Sequence, residues 1–376
     1  MIYRHISDLI KKRLPDKKAI IITGPRQSGK STLLNTLKSA FNQPVLALSG
    51  DDADVRKMLE NPTVVSMKAI IGHSATFLLD EAQRVENIGL CLKLVVDNLD
   101  NVKVIATGSS AFELANRINE PLTGRKWEFN IYPFSFGEMA DHHGLLEEKR
   151  WLKHRLVYGY YPEIVTHNGE EQERLKELAG SYLYKDILTW ERILKPDKLE
   201  RLLQALAFQV GREVSYNELA QISGLDNQTT EKYIDLLEKA FIVFRLGSLS
   251  RNLRNELKKS RKIYFYDNGL RNAVINQFQP AELRQDIGAL WENFMVSERV
   301  KYLAYRKLQA NTYFWRTHAQ QEIDYIEERD GNMQAIEFKW SAASKAKIPR
   351  TFTNAYPGAQ VNIISPDNMD QWLLEG

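Results

Sequence analysis

One segment near the N terminus restricts the fold of this chain more than any other. Residues 24–31 read Gly-Pro-Arg-Gln-Ser-Gly-Lys-Ser and fit the pattern G-x4-G-K-[ST] at every fixed position. The segment follows a short apolar run, Ala19–Thr23, and precedes a helix-forming stretch that begins at Thr32. At average residue frequencies such a string arises by chance in roughly one chain of this length in a hundred. The sequence therefore predicts a buried strand, a glycine-rich loop and a helix, in that order.

This loop has the composition of a phosphate-binding site. Its glycines allow backbone N–H groups to approach an anion that a side chain would keep away. Lys30 is expected to neutralise β and γ phosphate oxygens, Ser31 to offer an oxygen to Mg²⁺, and the N terminus of the following helix to attract the anion. We therefore expect ATP and Mg²⁺ as cofactors. The predicted nucleotide-binding residues are Gly24, Pro25, Arg26, Gln27, Ser28, Gly29, Lys30, Ser31 and Thr32.

Short apolar runs alternate with helix-like segments through the first 145 residues or so. Strand candidates follow at 45–48, 76–79 and 102–107. Runs that are apolar throughout are typical of parallel strands covered by helices on both faces. The predicted fold class is therefore α/β, with a P-loop domain built on a parallel sheet.

Two acids, Asp80 and Glu81, end the strand candidate at 76–79. In a P-loop fold an acid at this position holds Mg²⁺ through water, and we assign that role to Asp80. Glu81 is placed to polarise the water that attacks the γ phosphate. A pair of solvated acids at a helix start is the simpler alternative, but the preceding phosphate loop favours catalysis. Ser109 lies in a Gly-Ser-Ser turn after 102–107 and is a weaker candidate for contacting the γ phosphate.

Six short blocks occur in a characteristic order. They are GPRQSGKSTLL, FLLDEAQ, VIATGSSAFEL, LTGR, YPFSFGEM and GYYPEIV. Together they resemble a prokaryotic family of AAA+ ATP-binding proteins, related to archaeal-type ATPases, whose C-terminal half is a domain of unknown function. The resemblance implies that Glu81 is the catalytic glutamate, that Ser109 is the first sensor, and that Arg125 completes an ATP site in cis or from a neighbouring copy. A serine sensor departs from the asparagine or threonine of better-studied AAA+ motors, so we expect slow hydrolysis.

The C-terminal part carries a second candidate site with the arrangement of the PD-(D/E)xK nuclease core. Asp324 lies on one strand candidate, while Glu337 and Lys339 share a face of the next because side chains on a strand alternate. Asp324 and Glu337 are predicted to hold Mg²⁺, with Lys339 orienting the attacking water and Glu292 joining from a preceding helix. The order helix, three strands, helix, strand favours this restriction-endonuclease-like interpretation. Solvated charges on a half-exposed sheet are the alternative.

Residues 213–262 have the order of a winged helix, with two short amphipathic helices followed by β-prone residues and a basic tract. Polar residues at the start of the second helix are candidates for touching bases, and the tract for binding phosphates. The helix residues are Asn227, Gln228, Thr229, Thr230 and Lys232, and the tract contains Arg251, Arg254, Lys258, Lys259, Arg261 and Lys262. An intramolecular packing module is an equally good interpretation of this region.

Bulk properties set the remaining expectations. The 376 residues predict two or three domains, which we divide as 1–146, 147–261 and 262–376. A net charge of +3 does not by itself indicate a nucleic-acid partner. The lone cysteine, Cys91, excludes an internal disulfide framework and fits a cytoplasmic location. No apolar run is long enough for a membrane span, so no membrane partner is expected.

Three functions are compatible with these patterns. In the first, ATP binding and slow hydrolysis switch the conformation of the C-terminal half, with DNA as the client. The second is an ATP-gated, Mg²⁺-dependent nuclease that uses the C-terminal cluster. The third is a non-catalytic, ATP-dependent scaffold for a protein client, and a homo-oligomer is compatible with all three.

Overall fold

The computed structural model describes residues 2–108, 118, 121–182, 196–250, 260–341 and 348–375. The chain divides into two compact units. The first comprises Met1–Pro133 with Lys239–Phe241, and the second comprises Phe134–Glu238 with Ile242–Gly376. The three-part division at residues 146 and 261 is finer than this and stays a prediction.

The first unit is built on a five-stranded sheet in which every pairing is parallel. The spatial order is β2-β3-β4-β1-β5. The strands are β1 Ala19–Thr23, β2 Val45–Ser49, β3 Thr76–Asp80, β4 Lys103–Gly108 and β5 Lys126–Asn130. The sequence predicts the first four of these strands, whereas β5 is not predicted, because its charged and aromatic residues alternate instead of forming an apolar run.

Helices flank this sheet and bury its apolar side chains. They are α1 Ile6–Arg13, α2 Lys30–Ser39, α3 Ala53–Leu59, α4 Val64–Ile71 and α5 Ile88–Asn98, with a 3₁₀ turn at Ala82–Arg84. All five residues of β1 are buried, as expected for a central parallel strand. Because parallel strands all end at one edge, the segments that follow β1, β3 and β4 are brought side by side. That edge carries the phosphate loop, Asp80 and the end of β4.

The second unit begins with helices and ends in a mixed sheet. Its helices are α6 Phe136–His143, α7 Leu145–Tyr158, α8 Pro162–Thr166, α9 Glu171–Glu177, α10 Pro196–Phe208, α11 Tyr216–Ser223, α12 Asn227–Lys239, α13 Asn268–Val274, α14 Ile287–Arg306 and α15 Arg350–Ala355. Short 3₁₀ or π turns lie at Leu178–Tyr182, Ala281–Leu283 and Gln371–Glu375. The predicted break between two short helices falls at Gly224, which caps α11 in a left-handed conformation with φ 68°.

Seven strands form the sheet of the second unit, in the order β12-β11-β10-β9-β7-β8-β6. They are β6 Glu213–Val214, β7 Val243–Ser248, β8 Arg261–Phe265, β9 Asn311–Arg316, β10 Glu322–Arg329, β11 Asn332–Phe338 and β12 Gln360–Ile364. β7 pairs in parallel with β9, so backbone hydrogen bonds join β6, β7 and β8 to the C-terminal strands in one sheet. The predicted α/β fold class is confirmed, with a parallel sheet in the first unit and a mixed sheet in the second.

None of the helices among the described residues combines the length and the apolar composition that crossing a membrane requires. Cys91, the single cysteine, is buried in the core of the first unit, and burial raises the pKa of its thiol to about 12. Burial therefore disfavours the reactive thiolate form of this side chain.

Candidate functional site

The phosphate loop connects β1 to α2, as the sequence predicts. Gly29 directly precedes α2 and adopts φ 91°, a left-handed conformation that strains residues carrying a Cβ. Gly24 is required for a different reason, because a Cβ there would lie 2.1 Å from the carbonyl oxygen of Ile131. Helix α2 begins at Lys30, so the unpaired N–H groups of its first turn point towards the loop. The loop therefore has the backbone geometry that cradles phosphates.

The side chain of Lys30 folds back onto the phosphate loop and forms hydrogen bonds with its backbone. Its side chain is buried, at 5% exposure, and its Nζ donates to the carbonyl oxygens of Gly24 at 3.0 Å and Pro25 at 2.7 Å. The hydroxyl of Ser28 also donates to Pro25 O, at 2.7 Å, and braces the same turn. These contacts hold the ammonium group inside the loop, where the backbone would surround an anion.

Ser31 and Asp80 meet at the edge of the parallel sheet. The Ser31 hydroxyl donates to Asp80 Oδ2 at 2.6 Å, although the two residues lie far apart in the chain. Asp80 Oδ1 accepts hydrogen bonds from Thr107 Oγ1 and, at 3.1 Å, from the backbone N–H of Glu81. The two oxygen groups that the sequence assigns to Mg²⁺ are thus adjacent, and this donor set fits a hard divalent cation.

Glu81 is positioned by two residues that sequence reasoning missed. It takes a left-handed conformation with φ 47°, and its carboxylate Oε2 accepts from Gln83 Nε2 at 2.5 Å. Its backbone N–H also lies 3.3 Å from Thr107 Oγ1. Two sequence signals could have identified these residues. Gln83 lies in the DEAQ block, two positions after Glu81, and Thr107 is the last residue of the strand predicted at 102–107. Their orientation is visible only in three dimensions.

The two predicted residues that lie outside the phosphate loop and the acidic pair have different outcomes. Ser109 lies outside the described residues. Arg125 immediately precedes β5, and its carbonyl oxygen accepts from the backbone N–H of Ala19, the first residue of β1. The phosphate loop follows the other end of β1, five residues and about 16 Å away along the strand. Arg125 Nε instead contacts Asp97 Oδ1 at 2.7 Å. The structure therefore does not bring Arg125 to the loop of its own chain.

In the second unit, β10 and β11 bring the predicted acids together. The antiparallel register pairs Tyr325 with Ile336, and extending it by one position sets Asp324 opposite Glu337 on the same face. Lys339 Nζ donates to Glu337 Oε2 at 2.8 Å, and the N–H of Phe338 donates to Asp324 Oδ2 at 2.9 Å. The pairing of β10 with β9 shifts between Ile323 and Ile326, a bulge of the kind that re-aims side chains next to functional sites.

Glu292 joins this face from α14 and brings a partner that the sequence did not assign to the site. Its Oε1 accepts from Lys262 Nζ at 2.8 Å and from Tyr264 Oη at 2.6 Å. Lys262 also forms an ion pair with Glu322. We call Lys262, Glu292, Glu322, Asp324, Glu337 and Lys339 the C-terminal cluster.

Burial and neighbouring charges shift the pKa values of the residues in this cluster. Burial raises the pKa of Glu292 to about 7, although the Lys262 cation opposes the shift. Burial also raises the pKa of Asp324 and of Glu337, and the neighbouring Asp324 charge adds to the shift of Glu337. Burial disfavours the charged form of Lys262, but Glu292, Asp324 and Glu322 outweigh it and raise the pKa of that ammonium above its usual value.

The cluster does not fit a divalent metal as it stands. Across the described parts of the chain, no group of three or more histidine, cysteine, aspartate or glutamate side chains is arranged to hold a metal ion. The carboxylate oxygens named above already accept hydrogen bonds from lysine, tyrosine or backbone donors. The predicted Mg²⁺ ligands Asp324 and Glu337 are near each other, yet Glu337 is already paired with the ammonium group of Lys339 and Asp324 accepts from the N–H of Phe338.

The predicted DNA-contacting residues need two corrections. Lys262 was grouped with the basic tract, but it is 1% exposed and paired with carboxylates, so it is not available to phosphates. Thr230 is fully buried, and its hydroxyl donates to the carbonyl oxygen of Asp226 at 2.8 Å. Gln228 and Lys232 do lie exposed on α12. Residues 251–259 of the tract lie outside the described residues.

The parallel sheet, the phosphate loop and the paired Ser31 and Asp80 define the first unit as a P-loop nucleotide-binding domain. Residues 16–140 match the family model described as AAA domain. Residues 149–281 and 287–374 match two models described as domains of unknown function, DUF8612 and DUF4143.

Similar proteins occur in bacteria and archaea. An uncharacterised protein of Mycobacterium tuberculosis is 26% identical over 94% of this chain and 76% of its own length. One from Haemophilus influenzae is 26% identical over 68% of this chain and 69% of its length. A Walker-type ATPase of Pyrococcus abyssi has a similar structure, with a TM-score of 0.52 at 16% identity, covering 73% of this chain and 96% of the other. That likeness shows a shared fold.

Proposed function

We propose that the chain binds ATP with Mg²⁺ in its first unit and hydrolyses it slowly to switch the conformation of its C-terminal half. The observation that carries this proposal is the 2.6 Å contact between Ser31 Oγ and Asp80 Oδ2. It joins the phosphate loop to the acidic end of β3, where Glu81 follows. The residues that we propose to bind and hydrolyse ATP therefore lie at one edge of one sheet.

Each residue has a role that follows from its contacts. Lys30, already inside the loop, exchanges its bonds to backbone carbonyls for bonds to the β and γ phosphate oxygens. Ser31 and Asp80 hold Mg²⁺, which when bound neutralises charge on the transferred phosphoryl group. Glu81 orients and polarises the attacking water, while Thr107 and Gln83 fix the direction of the two acids.

Glu81→Gln tests the catalytic part of this proposal. The substitution keeps the shape of the side chain and removes the carboxylate that accepts a proton from water. We expect ATP affinity to stay within about twofold, while phosphate release falls by about 10²–10⁴-fold, the contribution of a positioned general base. Glu86→Gln is the matched control, because Glu86 is exposed and lies five residues further on. Turnover at the parental rate in Glu81→Gln would assign the base to another residue.

DNA is the client that we propose for the C-terminal half. Helix α10 and the elements that follow it have the order helix, strand, helix, helix, strand, strand, and the three strands lie in the spatial order β6-β8-β7. This topology supports the winged-helix interpretation, in which α12 is the recognition helix. The exposed Gln228 and Lys232 lie in the first two turns of that helix, where base and phosphate contacts are made.

A mobility shift with duplex DNA measures this interaction. We expect binding that weakens steeply between about 50 and 200 mM salt, because phosphate contacts release counterions. Lys232→Ala should weaken binding, whereas Lys176→Ala, an exposed lysine on α9, should not. Absence of a salt-sensitive shift in the wild-type chain would favour the ATP-dependent protein scaffold instead.

A nuclease is the second candidate, and the architecture of residues 287–364 supports it. The order α14, β9, β10, β11, α15, β12 is the helix, three strands, helix, strand order of the PD-(D/E)xK core. Asp324, Glu337 and Lys339 also lie together on one face. Plasmid nicking with Mg²⁺ or Mn²⁺ that is lost in Glu337→Ala would favour this function. The lysine and backbone donors that already contact the carboxylates of the cluster bear against it.

A further inference from the structure

The ammonium group of Lys262 is the most enclosed charge of the C-terminal cluster. Its side chain is 1% exposed, and it is surrounded by the carboxylates of Glu292 and Glu322 and by the ring of Phe314, whose centroid lies 5.4 Å from Nζ. A lysine is almost never fully buried unless it is paired. This lysine is paired with acids that come from two different elements, α14 and β10.

Lys262 also comes from a different part of the chain than its partners. It lies on β8, within the segment that matches one domain of unknown function, while Glu292 and Glu322 lie in the segment that matches the other. The three residues approach because β8 and β10 belong to one sheet and α14 packs beside β8. The contact between Lys262 and these acids therefore joins β8 to the core formed by α14, β9, β10, β11, α15 and β12, and β8 is not itself part of that core.

One carboxylate oxygen on each of Glu292, Glu337 and Asp324 already accepts a hydrogen bond from a protein donor. Glu292 Oε1 accepts from both Lys262 and Tyr264, Glu337 Oε2 accepts from Lys339, and Asp324 Oδ2 accepts from a backbone N–H. A Mg²⁺ ion requires near-octahedral oxygen ligands at about 2.0–2.1 Å. To use these oxygens the ion would have to displace their donors, and at any of these carboxylates it would lie near a lysine ammonium, which repels it.

We propose that the Lys262 ammonium is the resident cation of the C-terminal cluster, and that it excludes a divalent metal ion. These acids are not arranged to hold a metal ion beside the lysine, and removing its charge leaves Glu292, Asp324 and Glu337 to turn towards a Mg²⁺ or Mn²⁺ ion in its place. In the wild-type protein the cluster therefore fastens β8 to the C-terminal core by charge pairing. The proposal concerns the second unit alone, and it stands whether or not the first unit hydrolyses ATP.

The test uses the full chain without nucleotide, after treatment with EDTA. Mn²⁺ is titrated, the free ion is measured by electron paramagnetic resonance, and the melting temperature is recorded in parallel. We expect Lys262→Met, which has a side chain of similar length without charge, to bind one Mn²⁺ per chain at least tenfold more tightly than wild type. Its melting temperature should rise on adding Mn²⁺, because a ligand of the folded state stabilises that state.

Three further variants locate the effect. Lys262→Arg keeps the charge and should resemble wild type. Lys262→Met combined with Asp324→Asn should lose the gained Mn²⁺ binding, whereas Lys262→Met combined with Asp80→Asn should keep it, because Asp80 belongs to the nucleotide site. This pair of double variants separates the new site from any weak binding at the phosphate loop.

Three results would overturn the proposal. The first is Mn²⁺ binding by wild type that equals that of Lys262→Met and disappears in Asp324→Asn, since the metal would then coexist with the lysine. The second is a folded Lys262→Met chain that binds Mn²⁺ no more tightly than wild type. If Lys262→Met does not fold in EDTA, the proposal requires that Mn²⁺ restores folding, and a failure of that rescue also contradicts it.

Discussion

Lys30→Ala is expected to lower ATP affinity by about 10²–10⁴-fold. The substitution removes charge-assisted hydrogen bonds to the β and γ phosphates, each worth about 1.5–3 kcal/mol in a site of this kind. Lys30 is buried at the first residue of α2, and its ammonium group already lies inside the loop. Little side-chain ordering is therefore needed when the lysine binds the phosphates of ATP. Isothermal titration calorimetry with ATP and Mg²⁺ measures the loss directly.

The control for this prediction is Lys38→Ala. Lys38 lies in the last turn of the same helix and is exposed, so the identical substitution there tests for general effects on α2. Because Lys30 also donates to Gly24 and Pro25, the melting temperature of each variant is needed to separate a disturbed loop from a lost phosphate contact. An ATP affinity unchanged by Lys30→Ala in a folded protein would contradict nucleotide binding at this loop.

Arg125→Ala is expected to reduce ATP hydrolysis by about 10³–10⁵-fold while leaving ATP binding intact. That range is the contribution of an arginine that stabilises charge on the transferred phosphoryl group. Arg125 lies at the edge of the sheet opposite the phosphate loop of its own chain, and its side chain is 42% exposed. An effect of this size therefore requires the arginine to reach the nucleotide of a neighbouring copy, across a head-to-tail interface.

Mixing two inactive variants tests that requirement. A copy carrying Arg125→Ala still has Glu81, and a copy carrying Glu81→Gln still has Arg125, so a mixed assembly contains sites in which both groups are intact. We expect the mixture to regain phosphate release that neither variant shows alone. Arg150→Ala, at another exposed arginine with an acidic partner, is the control and should hydrolyse ATP at the wild-type rate. Wild-type turnover in Arg125→Ala would exclude the arginine from the reaction.

The ion pair between Arg125 and Asp97 is weak enough for the arginine to change partners. The 2.7 Å pair joins two partly exposed side chains, and such pairs contribute about 0–1 kcal/mol to stability. The arginine can therefore leave Asp97 at small cost when another anion is offered. Its present partner does not argue against a role at a nucleotide.

The sequence by itself determined the parts of this protein whose signals are local. The G-x4-G-K-[ST] string, its flanking strand and helix, and the acids at the end of β3 are readable because each depends on neighbours within a few residues. The order of elements from α14 to β12 is readable for the same reason. The alternation of side chains along a strand likewise predicted that Glu337 and Lys339 share a face; Lys339 lies directly after β11 and contacts Glu337.

Only the tertiary structure decided which of these groups meet and which stay apart. Arg125 is excluded from its own phosphate loop because β5 pairs in parallel with β1, and strand pairing is a long-range choice that spacing does not encode. Lys262 looked like one more residue of a solvated basic tract, yet it is buried, because its partner Glu292 comes from a helix 30 residues away in the chain. Whether a residue is buried and paired with a charge depends on its neighbours in the folded chain. Packing between helices and strands determines those neighbours, and the order of residues within a single helix or strand does not.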